Sequence, residues 1–374
     1  MIDVILLLAG SGNRMGKLTK TCHKSLLGIN RHDSFLSRIL HQLNEFQVNT
    51  VSTVLGYRHQ DVQNVLELYQ LNFDVVYNFN YERDTNIESM LLALSRLSGN
   101  YPVLVIEGDV IMDDYTIYDM YQKTMDDTTR YFTRGRFNSS QYGGIVKGMN
   151  SRVEEVKIVA SKKSEDSGAY KMSGVMSFSR AFLSRYKERL ESISNEESSY
   201  YYLEPWIRGE FINETYFSDY PNQFLDSCNT PEDYELLKKK FRQIYSEEKS
   251  YELVEVKSLK PIEDFISERV PIIKKEIFSS GFWTKPIIID SQDHLIMDGH
   301  HRFEIAKQIG LKMVPAVILD YSKVQIWSLR NDVEVNHELV RAKAIRKDIY
   351  PNKTVKHDFR FKLPQMRIEL NSLK

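Results

Sequence analysis

Cysteine is almost missing from this sequence: Cys22 and Cys228 are the two in 374 residues, and they stand far apart. That excludes a disulfide framework and a cysteine-based zinc set, and makes a reducing, cytoplasmic setting the expectation. Long apolar runs are missing too. The opening "MIDVILLLAGSG" turns to glycine and charge after about eight apolar residues, short of the ~20 a membrane helix requires and without the basic flank of a signal peptide. It reads as a buried first strand, and no membrane partner is expected. A charge excess of either sign is also absent. Fifty Lys and Arg against 51 Asp and Glu leave a net charge of −1, so no global field draws the chain to nucleic acid. There is no internal repeat and no low-complexity segment. A length of 374 residues at 42% hydrophobic is enough for real cores and makes two domains the natural expectation.

What is present is an alternation. "VILLLAG" (4–10) is a continuous apolar run of the kind that forms a buried parallel strand. Helical spacing follows at 32–46, a β-branched strand at 50–57, a helix at 59–71, a strand at 73–78, a helix at 86–97 and a strand at 101–112 that runs into acids. This order predicts an α/β domain with a mostly parallel, helix-covered sheet. From residue 128 the text turns β-rich ("RYFTRG", "YGGIVKGM", "RVEEVKIVAS", "YKMSGVMSFS") and reads as an added sheet region over the active face. The charged helix at 231–250 marks a boundary. A second unit then runs strand, proline turn, helix (264–281), strand, charged turn, helix (302–310), strand, which is α+β in character. The expected domains are 1–240 and 250–374.

Two charged, glycine-bearing turns stand out. The first, "AGSGNRMGKLTKTCHKSLL", lies between the first strand and the first helix. Gly10, Gly12 and Gly16 let backbone N–H groups approach an anion, and Arg14 and Lys24 add charge that pairs with phosphates. A glycine turn alone is a weak signal, but this spacing resembles the "L-A-A-G-x-G-x-R-M … P-K-x-L-L" signature of the sugar- and choline-phosphate nucleotidyltransferases. "HKSLL" is nearest to the CTP:phosphocholine cytidylyltransferase branch. The resemblance covers about residues 1–240. It implies a Rossmann-like, GT-A-like domain with Ala9, Gly10 and Gly12 on the nucleotide and Arg14 and Lys24 on its phosphates. Asp109, at the end of "VLVIEGD", matches the family's Mg²⁺ acid. Asn86 and Ser89 match a segment beside base and substrate. The second metal acid normally precedes a "TPED" helix start; in "FLDSCNTPEDY" it is displaced or replaced, and Asp226 is taken as that ligand, with Asn229 also nearby.

The second turn is "DGHHR", Asp298 to Arg302. An acid capping a helix explains Asp298 but not the two histidines and the arginine. Adjacent imidazoles diverge, and no further ligands sit at zinc spacing. Gly299 and a helix N-terminus beside His300, His301 and Arg302 point instead to anion chemistry. The run resembles the ParB/sulfiredoxin-like phosphotransferases, most nearly the free serine kinases. "VEVKSLKPIED", "GFWTKPIIID", "MVPAVILDY" and "YPNKTVKHDF" extend the likeness over roughly 250–374. It implies that Glu263 activates the substrate hydroxyl and Asp298 serves as base or Mg²⁺ ligand. Gly299, His300, His301 and Arg302 would hold the donor's phosphates, and Lys353, Thr354, Lys356 and His357 the substrate or product. Lys356 stands where the family has arginine, which keeps the charge and loses the bidentate fork.

Together the two halves imply a bifunctional enzyme. The C-terminal domain would phosphorylate free L-serine or a similar small molecule from ATP or ADP. The N-terminal domain would transfer CMP from CTP to that phosphomonoester, with Mg²⁺. Partners are then small molecules, with no nucleic acid; a homo-oligomer is left open. Two alternatives stand beside this: a nucleotidyltransferase with a ligand-sensing second domain, and a DNA-associated nucleotide switch.

Overall fold

In a computed structural model that describes every residue except 31–32, 84–85, 161–162, 164–165, 197–199 and 331, all of β1 (Ile2–Leu8) is buried. Ile2, Val4, Leu6 and Leu8 enter one core and Ile5 and Leu7 another, because successive side chains point to opposite faces and both are covered. The chain divides into two compact units, Met1–Phe241 and Arg242–Lys374.

In the first unit β1 is followed by α1 (Phe35–Leu43), β2 (Val48–Leu55), α2 (His59–Leu66), β3 (Phe73–Tyr77), α3 (Ile87–Leu94) and β4 (Val103–Glu107). The strands lie parallel in the order β3-β2-β1-β4. Residue 32, where the first helix was expected to begin, lies outside the described residues. Ser34 and Ser37 exchange side-chain-to-backbone bonds of 3.1 and 2.8 Å, a capping box that sets the observed start. The strand expected at 101–112 breaks at Gly108 into β4 and β5 (Val110–Met112). α4 (Asp114–Met125) follows, with Asp113 as its cap.

The β-rich stretch forms β6 (Arg130–Arg136), β7 (Gly143–Met149), β8 (Arg152–Val159) and β9 (Tyr170–Phe178). After α5 (Arg180–Glu196) and α6 (Glu204–Ile207) come β10 (Tyr216–Asp219), β11 (Leu225–Ser227) and α7 (Pro231–Ile244). The expectation of an added sheet region is corrected here. β9 pairs antiparallel with β4 and continues the same nine-stranded sheet as β4-β9-β6-β10-β8-β7. The free edge of β4 is thereby closed, which removes a row of unpaired backbone groups. β11 pairs β5 instead, outside the large sheet.

The second unit has a five-stranded mixed sheet. β12 (Glu252–Glu255), β13 (Lys260–Pro261), β15 (Ile287–Asp290), β16 (Leu295–Asp298) and β17 (Met313–Leu319) lie in the order β12-β17-β15-β16-β13, and β14 (Phe282–Trp283) stands outside it. α8 (Arg269–Ser280) and α9 (His300–Gln308) cover one face through Val270, Ile277, Ile305 and Ala306. β18 (Gln325–Ser328), α10 (His337–Arg346) and β19 (Val355–Asp358) complete it, with Val340 and Ala344 of α10 on the other face. Two helix starts differ from expectation. α8 begins at Arg269 rather than 264, because the preceding segment is drawn to His301 instead, through the Ile266 amide. α9 begins at His300 rather than 302, so both histidines belong to its first turn. No helix among the described residues is long and apolar enough to cross a membrane.

Gly108 is the tightest point beneath the first site. A Cβ there would lie 2.3 Å from Leu8 Cδ2 and 3.1 Å from the Leu7 carbonyl. Leu8 is fully packed and cannot swing away, so Gly108→Ala is expected to cost about 1–3 kcal/mol. A thermal midpoint equal to that of the parent would contradict this packing.

Candidate functional sites

A cleft of about 1120 Å³ opens at the carboxyl ends of the parallel strands in the first unit, where open α/β sheets bind ligands. Its near wall is the turn after β1. Gly12 has φ 65°, and a Cβ on it would press within 3.1 Å of Thr19 and 3.3 Å of Lys24. A glycine there keeps the turn folded onto the lysine. The 3-10 turn Lys24–Leu26 is capped by His23, whose Nδ1 accepts from the Ser25 amide at 3.2 Å. Burial pushes the His23 imidazole down to about 4, so it stays neutral and able to accept. The histidine that replaces the family proline thus fixes the direction of Lys24.

Lys24 Nζ reaches Asp109 Oδ2 at 2.5 Å and Asn229 Oδ1 at 3.0 Å. Arg14 Nη2 donates to the same Asn229 oxygen at 2.7 Å. Four residues from three distant parts of the chain therefore meet at one point. Asp233 holds the Asn229 turn in place, accepting from the amides of Asn229 and Thr230 at 3.1 Å each and from the Tyr142 hydroxyl at 2.6 Å.

Asp226, expected as the second metal ligand, also lines the cleft. Its Oδ1 is ion-paired with Arg134, and its Oδ2 takes Lys240 Nζ at 2.8 Å. The residue sharing Lys24 with Asp109 is Asn229. Two nucleotide residues are also placed differently from expectation. Ser89 is buried and accepts from Asn78 Nδ2 at 2.9 Å beneath the turn. Ala9 is buried, with its carbonyl accepting from the Tyr57 amide at 2.9 Å. Gly10, Gly12, Arg14, Lys24, Asn86 and Asp109 do line the cleft.

Sequence reasoning passed over Arg134, Glu107 and Lys171, which line it too. Burial raises the Glu107 carboxyl, and the neighbouring Asp109 charge adds to this. Burial, reinforced by the Arg134 charge, lowers the Lys171 ammonium to about 7. The available signal was a lone lysine inside the apolar strand "YKMSGVMSF".

In the second unit Glu263 lies beside the chain's return at 350–355. Its Oε2 accepts from the amides of Thr354 and Val355 at 3.1 and 3.0 Å. Burial nevertheless raises this carboxyl, while those amides pull it back and Asp298 pushes it further up. Lys353 adjoins the same turn with φ 53°. Thr354 is buried with its hydroxyl on the Pro351 carbonyl at 2.7 Å. Lys356 stands on β19 opposite Trp327.

The "DGHHR" run is more self-contained than its sequence suggests. His300 Nε2 accepts from the Ile262 amide at 3.4 Å and His301 Nε2 from the Ile266 amide at 3.1 Å. The two imidazoles, diverging as adjacent helical residues do, clamp the segment that carries Glu263. Arg302 donates to the Pro286 carbonyl and, at 2.9 Å, to Asp298. Gly299, at φ 103°, makes the turn into α9. His357 is packed in the core, with Nε2 3.1 Å from the Tyr321 hydroxyl and its ring stacked on Phe359. His300, His301 and Arg302, expected at the donor's phosphates, and His357, expected at the substrate, each have internal partners. Among the described residues no three His, Cys, Asp or Glu form a metal-holding group.

A glycine turn, paired cations and an acid at the strand ends of a Rossmann-like sheet are features that nucleotide-phosphate sites use. Residues 3–202 match the nucleotidyl transferase family, and the chain belongs to that family. It is 30% identical over 112 residues to the choline-phosphate cytidylyltransferase of Haemophilus influenzae, covering 30% of this chain and 46% of that protein. Its fold is like that of the CTP:phosphocholine cytidylyltransferase from Streptococcus pneumoniae, with TM-score 0.52, 19% identity, and 64% of this chain against 98% of that one. The C-terminal region matches serine kinases and a ParB-like protein. Against the ATP-dependent L-serine kinase of Staphylothermus marinus it is 37% identical over 83 residues, 20% of this chain and 33% of that protein. The chain spans 33%, 37% and 42% of the length of the first three relatives it matches.

Burial holds His300 down to about 4 and His357 to about 3, from an ordinary 6.5. Between pH 6.5 and these values the unfolded chain binds protons that the folded chain does not. Stability is therefore full above pH 6.5 and falls as pH drops, by up to about 1.4 kcal/mol per pH unit for each histidine. Urea melts at pH 7 and pH 5 read this slope for the second unit, and His357→Gln is expected to flatten it. A slope unchanged by that substitution would rule out the buried neutral imidazole.

Proposed function

We propose that the chain is a bifunctional transferase. Its C-terminal unit moves a phosphoryl group from ATP or ADP to the hydroxyl of free L-serine or a similar small alcohol. Its N-terminal unit moves CMP from CTP to the resulting phosphomonoester, releasing pyrophosphate and giving a CDP-linked small molecule.

The observation that carries the first half is the meeting of Arg14, Lys24, Asp109 and Asn229 beside the glycine turn. In the nucleotidyl transfer an acceptor phosphate oxygen attacks the α-phosphorus of CTP, and the bond to pyrophosphate breaks. Little covalent work falls to the protein. Backbone amides at Gly10 and Gly12 would cradle the triphosphate, and Arg14 and Lys24 would balance the charge that develops. Mg²⁺ is commonly bound by one or two carboxylates, with substrate phosphates and waters filling the remaining positions. Asp109 at the strand ends, with the neutral Asn229 oxygen adjacent, fits that chemistry. The ion would supply charge neutralisation between two anionic reactants.

The second half rests on Glu263. A serine hydroxyl is a weak nucleophile at neutral pH and needs a base. Burial makes the Glu263 carboxylate a stronger base than an exposed one, and its Oε1 takes neither of the two amide bonds that hold Oε2. The hydroxyl proton would pass to Glu263 as the oxygen attacks the donor's terminal phosphorus and the bond to the leaving ADP (from ATP) or AMP (from ADP) breaks.

Incubation of the full chain with L-serine, CTP, Mg²⁺ and ATP or ADP, read by mass, tests this. Phosphoserine and a CDP adduct are expected. Asp109→Asn should lower CDP-adduct formation by about 10²–10³-fold while phosphoserine accumulates. Glu263→Gln should lower phosphoserine formation by about 10²–10⁴-fold and leave CMP transfer to supplied phosphoserine intact. The internal engagement of His300, His301 and Arg302 favours a second reading, in which the C-terminal unit senses a ligand. That reading gains if no phosphoserine forms while L-serine still raises the thermal midpoint.

A further inference from the structure

The acceptor must carry something besides its phosphate, and the inner end of the cleft bears on what. Beside Asp109, the half-buried Glu107 carboxylate and the buried Lys171 ammonium line the same cleft. Glu107 closes β4, and its Oε1 accepts from the Tyr202 hydroxyl at 2.8 Å. Lys171 stands on the neighbouring strand β9 and is 7% exposed. Its Nζ donates to the carbonyls of Gly144 and Met172, each at 3.1 Å. These are neutral acceptors, and an ammonium has three N–H groups to satisfy. Among the described residues no ion pair joins Lys171 to Glu107 or to any other acid. Each nonetheless feels the other's charge.

A buried ammonium one acceptor short, lining a cleft with a half-buried carboxylate it does not bond, is costly by itself. The two groups make sense at the wall of a cleft that receives a ligand with both signs. Gly143, whose φ is 91°, stands beside the ammonium: a Cβ there would come within 3.5 Å of Lys171 Nζ. The other cations of the cleft are engaged elsewhere. Arg14 and Lys24 stand at the glycine turn, and Arg134 and Lys240 neutralise Asp226.

We propose that Glu107 and Lys171 form a headgroup subsite for an acceptor bearing both an ammonium and a carboxylate, an α-amino-acid phosphomonoester. Glu107 takes the ammonium and Lys171 the carboxylate, leaving the phosphate near Asp109 for attack on the nucleotide. The inference rests on the cytidylyltransferase reading of this cleft. A quaternary ammonium headgroup has no N–H to give Glu107 and no carboxylate for Lys171. A simple amine satisfies one residue and strands the other, and a site with buried polar groups rejects a ligand that leaves them unpaired.

The test uses the full chain with CTP, Mg²⁺ and four phosphomonoesters: O-phosphoserine, phosphoethanolamine, phosphocholine and phosphoglycolate. Pyrophosphate release gives kcat/KM for each. Phosphoserine is expected to exceed every single-charge analogue by a factor on the order of 10². Lys171→Met should collapse the phosphoserine-to-phosphoethanolamine ratio by about the same factor, and Lys171→Arg should retain most of it. Phosphoethanolamine or phosphocholine turned over as well as phosphoserine by the parent would overturn the subsite while leaving nucleotidyl transfer standing. So would a Lys171→Met variant that keeps the parent's ratio. Pyrophosphate release with none of the four would instead bring down the cytidylyltransferase reading, and the subsite with it.

Discussion

The Lys24–Asp109 pair is the constraint on which the first unit's cleft depends. At 2.5 Å it ties the turn after β1 to the end of β4, two neighbouring parallel strands whose connection runs through about a hundred residues. Both side chains are largely withdrawn from water, where a charge is tolerated because it is paired. The pair also explains the local sequence. Gly12 lies against Lys24, His23 caps the turn that aims it, and Gly108 lets the chain pass over Leu8 just before Asp109. Asn229 bridges Lys24 and Arg14, so the start of α7 is drawn into the same knot. A phosphate chain entering the cleft would compete with Asp109 and Asn229 for the same cations, and the pair marks where that competition occurs.

The second unit solves a related problem differently. Its acid, Glu263, is placed by backbone amides from 354–355 rather than by a cation, and by the two histidine clamps on the segment 262–266. A neutral imidazole can accept from an amide and a protonated one cannot, so the burial of His300 and the position of Glu263 are linked. Both units therefore fix a carboxylate through partners brought from distant parts of the chain. The first relies on ion pairs and the second on the peptide backbone.

Family and fold class were legible in the sequence because they rest on periodicity and on short motifs. The alternation from residue 1 to 112, and the "AGSGNRMG … HKSLL" and "DGHHR" runs, are local patterns, and local patterns survive as one-dimensional text. Asp109, Arg14 and Lys24 line the cleft as that text implied. What the text did not carry was which distant group a side chain would meet. Asp226, expected as a metal acid, has Arg134 from an earlier strand against it. His300, His301 and Arg302, expected as anion donors, bond to Ile262, Ile266 and Pro286.

By itself, then, the sequence determined where the strands and phosphate-type turns would fall, since β-strand alternation, glycine conformations and cap residues act within a few residues of themselves. The tertiary structure decided which charges are available for chemistry and which are already satisfied. The β-rich stretch joined β4 as one continuous sheet and thereby brought Lys171 and Arg134 beside Glu107 and Asp109. The free energy of a charge is set by its neighbours and its burial, and those neighbours come from strands far apart along the chain.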